Sequence, residues 1–142
     1  MQYADRLNNV ETSAIRELFK LLGKPGIISF AGGFPDSAMF DVDGIREASN
    51  AALTQEPGAA LQYGATEGYN PLREQLAAFM ATKGVKGLDA NGLIVTTGSQ
   101  QALDLIAKTL LNPNDVALVE GPTFLATIQC FRLYGPQVVC VP

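Results

Sequence analysis

Apolar residues recur along this chain with two periods, and the period changes wherever glycine, proline or asparagine interrupts it. Leu93-Ile94-Val95-Thr96-Thr97 is a continuous apolar and β-branched run, Gly98 breaks it, and apolar residues then return at Ala102, Leu103, Ile106, Ala107 and Leu110. The first run predicts a strand, the second the inward face of a helix, with a tight glycine turn between them. Downstream, Asn112-Pro113-Asn114-Asp115 reads as a turn and Val116 to Val119 as a strand. Glu120-Gly121-Pro122-Thr123-Phe124 then opens a helix that runs to about Tyr134, and Val138 to Val141 is a further strand. This alternation predicts an α/β fold in which a strand-helix-strand-helix-strand run builds a mainly parallel sheet with right-handed crossovers.

Upstream the period is helical. Ile15, Leu18, Phe19 and Leu22 mark one face of a helix over Glu11 to Leu22, capped by Thr12 or Ser13 and ended by Gly23 and Pro25-Gly26. Ile27 to Phe30 reads as a short strand running into the loop Ala31-Gly32-Gly33-Phe34-Pro35-Asp36, where paired glycines let a backbone approach a ligand closely. Asp43 is the expected cap of a helix carrying Ile45, Ala48, Ala52 and Leu53 inward and stopping before Glu56-Pro57-Gly58. Asn70 and Pro71 suit the cap and first turn of another helix, with Leu72, Leu76, Phe79 and Met80 as its buried face and its end near Gly84. Lys83 to Gly92 is a polar, glycine-rich connector.

Composition narrows what such a fold can do. The chain has 142 residues, 47% of them hydrophobic and 17% charged, which fits a modest globular domain with its own core. Its net charge is −4 and its ten Lys and Arg residues are scattered, which argues against a nucleic-acid surface. No stretch approaches the roughly 18 consecutive apolar residues of a membrane span, and the first residues lack the apolar core of a signal peptide. A soluble, cytoplasmic protein without a membrane partner is expected. Cys130 and Cys140 have no CxxC spacing and read as free, mostly buried thiols. There is no histidine, which removes Ser-His and Cys-His nucleophile pairs and any histidine-based metal site. No metal site is expected, and a cofactor is the natural source of chemistry.

The turn at Gly98 is a candidate seat for an anion. The first N–H groups of a helix have no intrahelical partners, and the positive end of its dipole points at whatever sits above them. Ser99 adds a hydroxyl there, and Gln100 and Gln101 add amides. Taken alone, the stretch reads more simply as an ordinary strand-to-helix turn, of which α/β proteins have many. Arg16 is likewise either a solvated helix residue or a bidentate partner for a substrate carboxylate. Gly64 and Gly68 keep the loop ahead of the Asn70 helix irregular, so that Tyr63 and Tyr69 project from a non-repetitive segment, either as half-buried packing or as phenol donors to an anion. There is no GxGxxG after a strand and no GKS or GKT, so neither a dinucleotide fold nor a P-loop is indicated.

Four motifs in order, ISFAGGFPD (Ile28 to Asp36), LQYGATEGYNPLR (Leu61 to Arg73), VTTGSQQALDL (Val95 to Leu105) and EGPTF (Glu120 to Phe124), carry a family resemblance. The chain resembles the N-terminal part of the pyridoxal-phosphate-dependent aminotransferases of fold type I, class I/II. It is most similar to the branch of 2-aminoadipate and kynurenine-type aminotransferases and of the aminotransferase-like domains of MocR regulators. The resemblance implies that residues 1–60 form an N-terminal segment, part of the small domain and the substrate loop. It also implies that residues 61–142 begin the large domain that binds pyridoxal 5'-phosphate.

It further implies roles for individual residues. Ser99 and Gln100, after Gly98, would hold the cofactor phosphate through backbone N–H groups, and Phe124 would lie against the pyridine ring. Gly33 would approach the substrate carboxylate through its backbone, with Ser13 and Arg16 near the substrate side chain. Tyr63 would hydrogen-bond the phosphate held by the neighbouring subunit of a homodimer, so that the active site is shared. Related sequences often have tyrosine where Phe124 stands, so a polar role there is not expected.

The reaction implied is transfer of an amino group between an amino acid and a 2-oxo acid, in amino acid metabolism. That reaction needs a Schiff-base lysine, an acid to keep the pyridine nitrogen protonated and an arginine for the substrate α-carboxylate. None of Lys20, Lys24, Lys83, Lys86 and Lys108 matches the family's lysine motif. The chain is therefore expected to be roughly the first third of an aminotransferase and inactive alone. Three other readings are weighed beside it. One is a β-lyase or decarboxylase on the same fold. Another is the ligand-sensing domain of a MocR-type regulator, which would carry a basic winged-helix domain ahead of the first helix. The last is a fragment that folds poorly or serves only as an interaction surface.

Overall fold

A computed structural model of the chain describes residues 2–7, 26, 28, 30, 33 and 35–142. The predicted helix over Glu11 to Leu22, with Ser13 and Arg16, lies outside these residues. Of the predicted strand Ile27 to Phe30, only Ile28 and Phe30 are described; both are exposed and neither is in a strand. The chain divides into two compact units, one formed by residues 12–70 and the other by residues 1–11 with 71–142.

In the unit of residues 12–70, helix α1 spans Val42–Gln55 and the short helix α2 spans Pro57–Leu61. The cap of α1 is Asp41 rather than Asp43: its carboxylate accepts the Gly44 N–H at 2.9 Å, while Asp43 sits inside the first turn and pairs with Arg46. A side chain can reach the N3 amide only from the residue just outside the helix, which is why one step earlier is the cap. Glu56-Pro57-Gly58, expected only to stop α1, also starts α2, with Pro57 in its first turn where the missing N–H is no loss. Ile45, Ala48, Ala52 and Leu53, expected to face inward, are exposed.

Helix α3 spans Asn70–Thr82 and belongs to the other unit from Pro71 onward, where α4 spans Ser99–Leu110 and α5 spans Leu125–Arg132. Strand β1, Val116–Glu120, pairs in parallel with β2, Gln137–Val141, in the register Val116↔Gln137 to Glu120↔Val141. The strand-helix-strand unit around α5 therefore forms as predicted. Leu93 to Thr97 does not become a strand, although Leu93 at its start is extended. A strand exists only by pairing, and no described segment forms a ladder with it.

The buried residues come from α4, α5 and β1: Ala107 is 0% exposed and Cys130 3%, with Ala117 and Val119 also buried. Small side chains let these elements approach closely. On α3, Leu72, Leu76 and Phe79, expected to be buried, are exposed, and Arg73 is the buried residue at 9% exposure. Its Nη1 donates to the Ala90 carbonyl at 2.8 Å, anchoring a 3-10 turn, Ala90–Gly92, that Asp89 caps. On α4, Ile106 and Leu110 are likewise exposed while Ala107 alone is fully covered.

Both cysteines are free, but only Cys130 is buried; Cys140, expected to be mostly buried, is exposed. Burial first, and then the Asp104 carboxylate, raise the Cys130 thiol above its usual value. The thiolate is the reactive form, so near neutral pH a haloacetamide reagent is expected to label Cys140 about tenfold or more faster than Cys130. Mass spectrometry of timed, quenched samples measures this. Equal rates at the two sites would show that the Asp104 side of α5 is open.

Candidate cofactor-phosphate site

The site is built from the turn that precedes α4. Gly98 has φ 93° and ψ 167°, a backbone region that glycine alone adopts without strain. That conformation turns the chain sharply from its extended approach into the helix. No side chain caps α4 and its first turn contains no acid, so the N–H groups of Ser99 and Gln100 face outward with the positive end of the helix dipole behind them. A Cβ on Gly98 would meet nothing within 4 Å, so the space over the turn is open.

Gln101 has a role that the sequence did not suggest. Its side-chain carbonyl accepts the Thr97 backbone N–H at 2.6 Å and the Thr97 hydroxyl at 2.9 Å. Thr96 adds a hydroxyl bond to the Gly98 carbonyl at 3.2 Å. Gln101 therefore reaches back across the turn, much as the third residue of a capping box does, but to the residue before the cap. It fixes the turn and is not itself a ligand group. The sequence signal that could have found it is a glutamine at the third helical position after a Thr-Thr pair.

Phe124 stands four residues beyond the carboxyl end of β1, as the first residue ahead of α5, and is 62% exposed. Helices α4 and α5 leave this region in the same sense. The turn after α4 and the one after α5 are joined by hydrogen bonds from Asn114 N–H to the Gly135 carbonyl, 2.8 Å, and from Gln137 N–H to the Asp115 carbonyl, 2.7 Å. Because those two helix ends are pinned together at the amino ends of β1 and β2, both helices start on the side toward which the strands run. Ligands of parallel sheets bind on that side.

Gly98, Ser99 and Gln100 thus share one helix terminus, and Phe124 opens the helix packed against it. Tyr63 and Gly33 lie in the unit of residues 12–70. Tyr63 is fully exposed, and Gly33 has φ 59°, a conformation that favours glycine. Tyr69 instead donates its phenol to Glu56 at 3.2 Å, and the Glu56 charge, followed by that hydrogen bond and burial, raises the phenol above its usual value. Ser13 and Arg16 fall outside the described residues. No group of three or more His, Cys, Asp or Glu residues that could hold a metal is found among the described residues.

The donor set fits an organic phosphate attached to a flat ring. Backbone N–H groups and a hydroxyl at an uncapped helix start suit a phosphate, and an exposed phenyl face suits a conjugated ring.

Residues 26–142 match the profile of the family described as aminotransferase class I and II. Among curated relatives, aromatic-amino-acid aminotransferase 1 of Thermococcus litoralis is 40% identical over 99% of this chain and 34% of its own length. The 2-aminoadipate transaminase of Thermus thermophilus is 43% identical over 94% of this chain and 32% of its own. The chain spans about a third of the length of these relatives. Among solved structures, the α-aminoadipate aminotransferase LysN of Thermus thermophilus, complexed with N-(5'-phosphopyridoxyl)-L-leucine, is similar at a TM-score of 0.81 and 39% identity, over 99% of this chain and 33% of LysN. No helix among the described residues is long and apolar enough to cross a membrane.

Proposed function

The chain belongs to the class I and II aminotransferase family, and from that membership we propose that it is the cofactor-phosphate-binding part of a pyridoxal 5'-phosphate-dependent aminotransferase. The observation that carries the proposal is the uncapped start of α4 behind Gly98, with no acid in its first turn. Ser99 and Gln100 hold the phosphate through their backbone N–H groups, with the Ser99 hydroxyl as a further donor. Gly98 shapes the turn and Gln101 locks it. Phe124, lacking a hydroxyl, supports the ring by contact of its face alone. When bound, the cofactor supplies an electron sink for the substrate's reacting carbon.

The remaining roles follow the same reading. Gly33 brings its backbone N–H to the substrate carboxylate, and Ser13 and Arg16 lie near the substrate side chain. Tyr63 reaches the phosphate held by a neighbouring subunit, so that two copies share each site in a homodimer. Residues 1–60 belong to the small domain and substrate loop, and residues 61–142 begin the large domain. The substrates are an amino acid and a 2-oxo acid, and the setting is cytoplasmic amino acid metabolism.

Pyridoxamine phosphate tests the seat, because it carries both the phosphate and the ring and needs no lysine to bind. Titrated into the chain, it is expected to shift the backbone amide resonances of Ser99 and Gln100 before all others; no response there would reject the reading. With pyridoxal phosphate, an amino acid and a 2-oxo acid, the 142-residue chain is expected to show no turnover. Lys108, the basic residue of α4, sits in its last turn, about 13 Å along the helix from Ser99. Lys83 lies over the ring of Phe79. Neither is at the seat, and measurable turnover would overturn this assignment.

A further inference from the structure

Where α4 and α5 pack together, three polar side chains meet. The Tyr134 hydroxyl donates to Asp104 Oδ1 at 2.7 Å, and the Cys130 thiol lies 4.0 Å from the same oxygen. Asp104 is in the middle of α4, five residues after Ser99. Tyr134 follows the end of α5. All three groups are wholly or partly buried. A catalytic role for the thiol does not fit, since burial and the neighbouring carboxylate both hold it protonated.

We propose that Asp104 and Tyr134 are positioning residues, whose hydrogen bond holds α4 and α5 in the one arrangement that lets the Gly98–Gln100 turn and the Phe124 ring act on the same ligand. The proposal rests on the reading of that turn as the cofactor-phosphate seat. Apolar contact between the helices is non-directional, and no large side chain among the described residues is fully buried there or elsewhere to interlock them. The ends away from the seat are already pinned by the Asn114–Gly135 and Asp115–Gln137 backbone bonds. Without a second point of attachment, the helices can pivot about that end, and their starts move most. The Asp104–Tyr134 bond is that second point, and a carboxylate acceptor makes it directional and strong.

The phenol is correspondingly held above its usual value, first by the hydrogen bond to Asp104, then by burial and by the charges of Asp104 and Cys130, with Arg6 acting in the opposite sense. A phenol raised in the folded state stabilises the fold fully below its unfolded value, and that stabilisation is lost as pH rises through the raised one. The tie is therefore intact throughout the neutral range.

Two ligands separate positioning from general stability. Inorganic phosphate engages only the turn, whereas pyridoxamine phosphate engages the turn and Phe124. In the unaltered chain, pyridoxamine phosphate is expected to bind more tightly than phosphate. In Tyr134→Phe and Asp104→Ala, phosphate affinity is expected to stay within about twofold while the advantage of pyridoxamine phosphate falls about tenfold. Asp104→Asn keeps an acceptor oxygen and is expected to retain the advantage. The proposal is overturned if the first two variants keep the advantage, or if they lose both ligands by the same factor, which marks a purely structural bond. If the unaltered chain shows no advantage, or binds neither ligand, the cofactor-seat reading fails and the positioning role falls with it.

Discussion

Replacing Gly98 with alanine is expected to abolish most anion binding at the start of α4 and to lower the stability of the chain as well. At φ 93° and ψ 167° an L-residue is strained by about 1–3 kcal/mol. The space around the missing Cβ is open, so the penalty is one of backbone conformation and not of collision. The chain relieves it by rotating Gly98 toward negative φ, which swings the first N–H groups of α4 away from a common point. Affinity for phosphate or pyridoxamine phosphate is expected to fall tenfold or more, equivalent to about 1.4 kcal/mol. Ser99→Ala is the informative contrast: it removes a hydroxyl but leaves every backbone donor in place, so its effect is expected to stay within about threefold, roughly a neutral hydrogen bond's net worth. Amide titration by NMR measures both. Equal losses in the two variants would place the binding in the hydroxyl instead of the backbone.

Arg73→Met is expected to be the most destabilising single change away from the seat. Arg73 is 9% exposed, and its Nη1 is bonded to the Ala90 carbonyl. A bond from a charged donor contributes about 1.5–3 kcal/mol, and its loss strands a partly buried acceptor. The urea midpoint should therefore drop by about 1 M, taking a slope of about 2 kcal/mol/M for a chain of this size. Arg46, on the exposed surface of α1, pairs with Asp43 one turn away. Arg46→Met is expected to change stability by less than about 0.5 kcal/mol, because exposed pairs are screened and contribute little. If the two arginines proved equivalent, the burial of Arg73 would not be an energetic feature of the fold.

These two sites also differ in how far the sequence exposed them. Gly98 could be found by pattern, since a glycine between an apolar run and a helical period announces a turn that needs a special backbone conformation. Arg73 could not. The period of α3 marked Leu72, Leu76 and Phe79 as the face to bury, yet those residues are exposed and Arg73 is not. Periodicity specifies that a helix has an apolar side; it does not specify what approaches the helix, or from where. The segment that reaches α3 is the Asp89-capped turn at Ala90–Gly92, and it approaches Arg73 with a carbonyl.

The same division runs through the rest of the molecule. The sequence by itself determined the local elements: the α4 turn, Pro71 in the first turn of α3, strands β1 and β2 around α5, and the family to which the chain belongs. Each follows from backbone preferences or from short motifs, which act within a few residues of where they are written. Only the tertiary structure decided that Leu93 to Thr97 forms no ladder among the described residues and that Val116 pairs with Gln137. It also decided that Gln101 bonds back to Thr97 across a turn and that Asp104 meets Tyr134 thirty positions away. Those outcomes depend on which surfaces come into contact after the elements form, and a hydrogen bond is chosen there by distance in space, to which spacing along the chain is blind.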